Sequence, residues 1–286
     1  ISSLPPSLPS RSPFWRHHFV GGNALMGRIL RDNGAALGVT AETVQFETTI
    51  GRAEAMLAGA VDLAIAQVEI GDPVRVTVSV TNRTGHKFPT GYPARRAWLR
   101  ITAWDASGSA VFDSGAWDAE GEIVGLDADF EPHHDVISSS DQILIYEAIA
   151  GDINGDVTHT LLRQAQHLKD NRIPPRGFTA DGASIEHTEV VGLAALDPNF
   201  NHDGGAEGTG RDLVTFEIDA DPPLTLEVSL IYQSVSPRFA ADLFTSDTSA
   251  VDAFEAMWTA ADRTPITVAS VSQEIFGSVP VGVEIH

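Results

Sequence analysis

The sequence contains no cysteine among its 286 residues. This absence excludes disulfides, cysteine nucleophiles, thiolate zinc sites and iron–sulfur clusters. It also excludes covalent attachment of a c-type haem by these residues, because the C-x-x-C-H attachment motif requires two cysteines. A thioether-linked haem in contact with this chain would have to be attached to another polypeptide segment.

Positive charge and long apolar runs are also scarce. Lys and Arg number 18 against 39 Asp and Glu, which gives a formal net charge of −21. A chain this acidic repels phosphate backbones and anionic lipids, so we expect no nucleic-acid partner and no membrane-surface partner. No apolar run is long enough to span a bilayer, and we expect no transmembrane segment. Hydrophobic residues still make up 43% of the chain, which suffices for a folded core.

The first sixty residues combine an extended stretch with helical periodicity. The chain begins at Ile1 in the Pro/Ser-rich segment ISSLPPSLPSRSP, without Met or signal peptide, which we interpret as a processed or truncated product. Two helices are predicted next, the second after a threonine cap. Their apolar positions are Leu25, Ile29 and Leu30, then Val44, Ile50, Ala53 and Leu57. We therefore assign residues 1–61 to an extended arm plus helices.

From Asp62 onward the hydrophobic period changes to two, which is typical of half-buried strands. VRVTVSVT predicts one strand, and QILIYEAIA and PITVASVSQEI predict others. Hairpins are expected with turns at Ser107-Gly108 and at Pro222-Pro223. Helices are predicted from a cap at Thr158 and in SAVDAFEAMWTAADR. Residues 62–286 thus predict a mainly β domain, an Ig-like antiparallel β-sandwich with helical insertions.

One histidine lies in an unusually stiff loop, TGHKFPTGYP. Pro89 and Pro93 fix backbone angles on one side of His86, while Gly85 and Gly91 permit conformations that other residues avoid. A loop of this kind holds a side chain in one orientation, as a metal ligand requires. The alternative is a tight connection between strands whose histidine caps a carbonyl.

The long stretches around this loop resemble the C-terminal region of exported multihaem c-type cytochromes. The resemblance extends over VTNRTGHKFPTGYPARRAWLRITAWDASGSAVFDSGAW, EPHHDVISSSDQILIYEAIAGDINGDVTHTLLRQAQHLKDNRIPPRGF, VSLIYQSVSPRFAADLF and HHFVGGNALMGRILRDN, and so over most of the chain. It implies a cysteine-free sandwich that packs on haems and whose histidines are distal axial ligands. It also implies electron transfer, a periplasmic or extracellular location, and a hetero- or homo-oligomeric assembly with a haem-bearing segment or subunit.

The resemblance implies iron ligation by His86, His17 and either His134 or its neighbour His133. For the His133-His134 pair, the alternative is an exposed loop in which one histidine pairs with an acidic residue. No attachment motif is present, so three arrangements remain open. The haem could be attached upstream, it could belong to a partner chain, or the haem function could have been lost.

Residues that flank His86 fit the same picture. Aromatic rings at Phe88, Tyr92 and Trp98 would cover a porphyrin edge. The forked guanidinium groups of Arg95 and Arg96 suit haem propionates, although salt bridges to acidic residues are equally expected.

Two loops that are rich in oxygen-containing side chains suggest a different kind of site, one that binds calcium. GDINGD places Asp152, Asn154 and Asp156 at alternating positions, as in a calcium loop. The twelfth position is Arg163 and not glutamate, so this is not an EF-hand. The segment DPNFNHDGGAEGTGRD is also rich in oxygen ligands, including Asp197. The alternative function is therefore a haem-free binding or adhesion sandwich stabilised by calcium.

Motifs of common enzymes are absent from the sequence. It contains no G-x-S-x-G, H-E-x-x-H or phosphate-binding loop. We expect a non-catalytic module. A hydrolase on the same scaffold would require a pocket with paired catalytic groups.

Overall fold

The structure is a computed structural model that describes residue 12 and residues 18–126, 130–182 and 184–277. The protein is mainly β, with several sheets and some helices. The helices are α1 Ala24–Asp32, α2 Gly34–Leu37, α3 Thr43–Ala58, α4 Ile185–Thr188, α5 Pro237–Phe244 and α6 Ser249–Ala260, with 3-10 turns at Leu161–Arg163 and Leu193–Ala195.

The strands are β1 Val61–Glu69, β2 Val74–Asn82, β3 Arg96–Trp104, β4 Ala110–Ser114, β5 Val136–Ile137, β6 Ile145–Tyr146, β7 Ala148–Gly151, β8 Gln166–Asp170, β9 His202–Asp203, β10 Ala206–Glu207, β11 Arg211–Ile218, β12 Leu224–Gln233 and β13 Ile266–Ile275. The first sheet has the order β1-β2-β11-β5, and the second has the order β13-β12-β3-β4 with β6 also paired to β3. Separate pairs are formed by β7 with β8 and by β9 with β10.

The alternation in β2 positions the core as the sequence predicts. Val74, Val76, Val78 and Val80 are fully buried, while Arg75 between them is exposed. The valines pack in one cluster with residues from the second sheet, which include Leu99 and Ile101 of β3 and Val228 of β12. The two sheets therefore share one hydrophobic core.

The predicted hairpin at Ser107-Gly108 is confirmed, because β3 and β4 pair antiparallel across it. The predicted hairpin at Pro222-Pro223 is wrong. Strand β11 pairs with β2 and β5 in the first sheet, whereas β12 pairs with β3 and β13 in the second. Each of the two strands has a hydrogen-bonded partner on both sides within its own sheet. The chain therefore crosses between the sheets where a hairpin was expected.

The helix predicted from Thr158 is also wrong. This segment contains one 3-10 turn, and His167 and Leu168 lie in β8, which pairs antiparallel with β7. Leu161 and Leu162, which the helical pattern would bury, are exposed. Pairing with β7 supplies the backbone hydrogen bonds that a helix would otherwise supply.

The helices predicted near the two ends are confirmed. Helix α3 buries Ile50, Ala53 and Leu57, but it is capped by Glu42 and leaves Val44 65% exposed. Helix α6 packs Trp258 against Phe244 and Phe254. None of the described helices is long and apolar enough to cross a membrane. The domain division at residue 61 stays a prediction.

Candidate functional site

The His86 loop, residues 83–95, connects β2 of the first sheet to β3 of the second. It therefore lies at one end of the two sheets. An isolated bridge fixes its middle, because the Phe88 N–H donates to the Ile173 carbonyl at 2.9 Å and the Ile173 N–H donates back at 2.8 Å. The stiffness predicted from sequence thus has a second source, a partner segment that pairs with the loop.

Asn82 holds the beginning of the loop in place. Its buried side-chain amide donates to the carbonyls of His86 at 2.7 Å and Ile173 at 2.9 Å. Its side-chain oxygen accepts from the Thr84 backbone N–H at 2.7 Å and from the Thr84 hydroxyl at 2.8 Å. One amide therefore ties together the residues on both sides of Gly85.

The His86 ring is exposed and has a defined orientation. Its Nδ1 lies 3.0 Å from the Lys87 carbonyl oxygen and 3.2 Å from the Thr84 hydroxyl. A carbonyl only accepts hydrogen bonds, so this geometry assigns the ring hydrogen to Nδ1. Nε2 then carries the lone pair, which is the tautomer of a metal-ligating imidazole supported by a backbone carbonyl.

His86 lines an open cleft with a volume of about 540 Å³. Two further histidines, His167 and His187, line the same cleft, together with Lys87 and Arg172. Burial lowers the pKa of half-buried His167, although the negative charge of Asp170 opposes this shift. The titratable side chains that line this cleft in an acidic protein are therefore imidazoles and cations.

A buried ion triad stiffens the wall of the cleft. Lys87 Nζ donates to Asp170 at 2.8 Å, and Arg172 donates to both oxygens of Asp170 at 2.8 and 2.6 Å. Burial would raise the pKa of Asp170, but hydrogen bonds and charge from Arg172 and Lys87 outweigh it, so the pKa falls. Burial also lowers the pKa of Lys87, against the opposing effect of Asp170. The Asp170 carboxylate therefore holds the side chain of Lys87, the residue that follows His86, in place.

Three residues predicted to face a porphyrin lie inside the protein. Phe88 and Trp98 belong to the hydrophobic clusters, and Trp98 donates through its indole nitrogen to the Gly115 carbonyl at 2.9 Å. Arg96 is buried, donating to Gln233 at 2.8 Å and Glu122 at 2.9 Å. We therefore correct all three assignments. Arg96 forms a salt bridge with Glu122, which is the alternative that the sequence also predicted.

The remaining predicted residues are placed differently. Tyr92 is exposed and its ring packs on Phe239 at 5.6 Å, while Arg95 is half-buried. Their roles at a haem stay predictions, as does a ligand role for half-buried His134. His17 lies outside the described residues.

His133 is corrected as a haem ligand because protein atoms occupy both ring nitrogens. Its side chain is 1% exposed, Nε2 lies 3.1 Å from Asp197 Oδ2, and Nδ1 lies 3.1 Å from Asn171 Nδ2. The Asn171 amide is itself fixed, because its oxygen accepts from the Glu147 N–H and its nitrogen donates to the Ile145 carbonyl. Asn171 therefore donates to Nδ1, and the ring hydrogen of His133 lies on Nε2.

His133 forms a buried group with Asp197 and Asp212, in which one ligand atom from each lies within 4.8 Å of the others. A metal on His133 Nε2 would require a hydrogen on Nδ1, where Asn171 already places one. The group therefore does not fit a metal site through this histidine. The sequence analysis named Asp197 only as a calcium candidate and did not single out Asp212, the last residue of the same oxygen-rich segment.

The predicted calcium loop, residues 152–156, is held by hydrogen bonds between its own residues. Asp152 Oδ1 accepts from the backbone N–H groups of Asn154 at 2.7 Å and Asp156 at 3.1 Å. Both Asn154 and Asp156 are exposed. These bonds are those of an ordinary turn stabilised by an aspartate side chain, and nothing in this geometry supports a bound calcium ion.

Comparison with solved structures gives a distant likeness to a cytochrome. No protein-family model matches the chain, and no curated protein sequence matches it. The chain is similar to the crystal structure of a penta-heme cytochrome c552 from Thermochromatium tepidum, with 15% sequence identity and a TM-score of 0.43. The likeness covers 78% of this chain and 41% of that chain, so this chain spans less than half of the cytochrome. A likeness at this level carries no conclusion about function.

Proposed function

We propose that this chain is a non-catalytic electron-transfer module that packs on a c-type haem attached to another segment or chain. His86 would supply the distal axial ligand through Nε2. The observation that carries this proposal is the His86 ring itself, which bonds a backbone carbonyl through Nδ1 and leaves Nε2 exposed beside a cleft. The sequence resemblance to exported multihaem cytochromes supports the same assignment.

The chemistry follows from the coordination of haem iron. A c-type haem uses its attachment histidine as one axial ligand and leaves one position open. A second imidazole at that position gives six-coordinate, low-spin iron, which suits electron transfer and excludes substrate. Rigid support of the distal ring reduces the entropy lost on binding, and here Asn82 and the Phe88–Ile173 bridge provide it.

The finer features of the proposal rest on the resemblance. The two sheets with a common core would form an Ig-like sandwich, and the protein would work in the periplasm or outside the cell. Arg95 at the same end of the sheets would bind a haem propionate, and Tyr92 would cover a porphyrin edge. The haem-bearing segment or subunit would be the partner, within a hetero- or homo-oligomeric assembly.

Titration with a proteolytic haem peptide tests the proposal. The peptide carries a thioether-attached haem with its own histidine ligand and one open axial position. Adding the protein should convert its absorption spectrum to the low-spin bis-histidine form. The His86→Ala variant should bind the haem peptide about tenfold or more weakly. The exposed histidines that remain in this variant lack such support and should bind haem iron no better than free imidazole.

The matched control is His187→Ala, which removes an exposed histidine from the same cleft. It should leave the titration unchanged. If His86→Ala and the unmodified protein bind the haem peptide equally well, His86 is not the ligand. If neither produces low-spin iron, the haem proposal as a whole is wrong.

A further inference from the structure

A second group of titratable side chains lies in the interior, apart from the cleft. Asp212 is fully buried, and the side chains of His133 and Asp197 are 1% and 2% exposed. Tyr146, also buried, donates its hydroxyl to Asp212 Oδ2 at 2.8 Å. These four residues come from distant parts of the chain and meet beside the hydrophobic core.

Asp212 stands on the apolar side of its strand. In β11 the buried positions alternate, so Asp212 shares a face with Val214, Phe216 and Ile218. No lysine or arginine among the described residues forms a salt bridge with Asp212. An ionised carboxylate without a cationic partner is costly in such surroundings.

Asp197 has the hydrogen bonds that an anion needs. Its Oδ1 accepts from the Asn199 backbone N–H at 2.7 Å, and its Oδ2 accepts from His133 Nε2 at 3.1 Å. His133 cannot accept a further hydrogen on Nδ1 without losing its bond from Asn171. Both carboxylate oxygens of Asp197 and both ring nitrogens of His133 therefore have hydrogen-bond partners.

Asp212 Oδ1 differs from these atoms. It is buried and has no hydrogen-bond partner among the described residues. Buried polar atoms without a partner are rare in folded proteins, and a charged one is the most costly. A proton on this oxygen would remove the charge that the apolar face disfavours.

We propose that the Asp212 carboxyl is a buried proton-binding site, which takes up one proton from solvent at Oδ1 and stabilises the fold in mild acid. The inference is independent of the haem proposal. The titratable groups that face Asp212 are His133, Tyr146 and Asp197, and each comes from a different segment packed against β11.

The electrostatics agree with this geometry. Burial raises the pKa of Asp212 from 3.8 to about 6, and the negative charge of Asp197 adds to the shift. Hydrogen bonds from the Tyr146 hydroxyl and the Leu213 backbone N–H oppose it, as would a positive charge on His133. Because the pKa is higher in the folded state, the stabilisation is complete below pH 3.8 and is lost as the pH rises to about 6. The folding equilibrium constant should change by roughly a hundredfold across this window.

Infrared spectroscopy and denaturant unfolding, followed from pH 4 to pH 8, test the proposal. Above about pH 5, where the ordinary carboxyls of the chain are largely ionised, the unmodified protein should retain a protonated-carboxyl band that fades around pH 6. Asp212→Asn should remove this band and the matching part of the stability change. The control Asp219→Asn removes one exposed negative charge and should retain both, which separates the site from the general charge of the chain.

Tyr146→Phe provides a second variant if Asp212→Asn does not fold. Loss of the hydroxyl donor should move the band's midpoint to higher pH, because that hydrogen bond favours the charged carboxylate. The proposal is overturned if the unmodified protein has no such band, or if the band persists in Asp212→Asn. It is also overturned if added Zn²⁺ or Mn²⁺ raises the melting temperature of the unmodified protein but not of Asp212→Asn, which would identify a metal site.

Discussion

Replacing Lys169 by methionine should lower the free energy of unfolding by about 3–5 kcal/mol, the usual cost of leaving one member of a buried ion pair without its partner. Lys169 is 2% exposed, and its Nζ donates to Glu147 Oε1 at 2.9 Å. Burial lowers the pKa of Lys169, and the charges of Glu147 and Glu131 oppose this shift. Methionine replaces the aliphatic part of lysine and is one atom shorter than the whole side chain, so the loss measures chiefly the uncompensated carboxylates. Urea unfolding of both proteins gives the value.

The double variant Lys169→Met with Glu147→Gln is the matched control for this prediction. It removes both charges of the pair and should recover a large part of the lost stability, because a neutral amide is cheaper to bury than a carboxylate. Equal stability of the single and double variants would show that Lys169 contributes by packing and not by charge.

The second large effect is expected at Asn82. Asn82→Asp keeps the shape of the side chain but replaces its NH₂ group by an oxygen, which then faces the carbonyls of His86 and Ile173. Two acceptors lose their donor and meet a negative charge, so the free energy of unfolding should fall by about 3 kcal/mol or more. In the same variant, the His86 ring should lose its fixed orientation, and binding of the haem peptide should weaken.

Urea unfolding measures the change in stability, and the NMR signals of the His86 ring measure the change in orientation. Asn154→Asp is the control, since Asn154 is exposed in a turn and should tolerate the same substitution with little loss. If Asn82→Asp unfolds at the same urea concentration as the unmodified protein, the amide does not hold the loop.

Local patterns predicted much of the fold. The valines of β2 alternate over a full strand, and a slip of one residue would turn all of them to the opposite face, so this strand was predictable. Helix α3 was predictable because Ile50, Ala53 and Leu57 share a face. The segment after Thr158 failed because its apolar residues fit a helix, while β7 offers it strand pairing that spacing cannot reveal.

The candidate site was predictable only in part. Prolines and glycines identified the His86 loop, but the tautomer of the ring depends on the Lys87 carbonyl, whose direction no sequence pattern gives. The group around Asp212 was not predictable, because its members are far apart in sequence and each resembles an ordinary loop or strand residue. The nearest signal was a single aspartate in the otherwise apolar alternation of β11.

The chain crosses from the first sheet to the second at both ends of the two sheets. Residues 83–95 cross at one end of β2 and β11, and residues 219–223 cross at the other end, while residues 138–144 make a third crossing between β5 and β6. A small slide of one sheet over the other would therefore change backbone angles in these connections before it disturbed the strands. The chemical shifts of the His86 ring would then change with the alignment of the two sheets, although the hydrogen bonds within each sheet stayed the same.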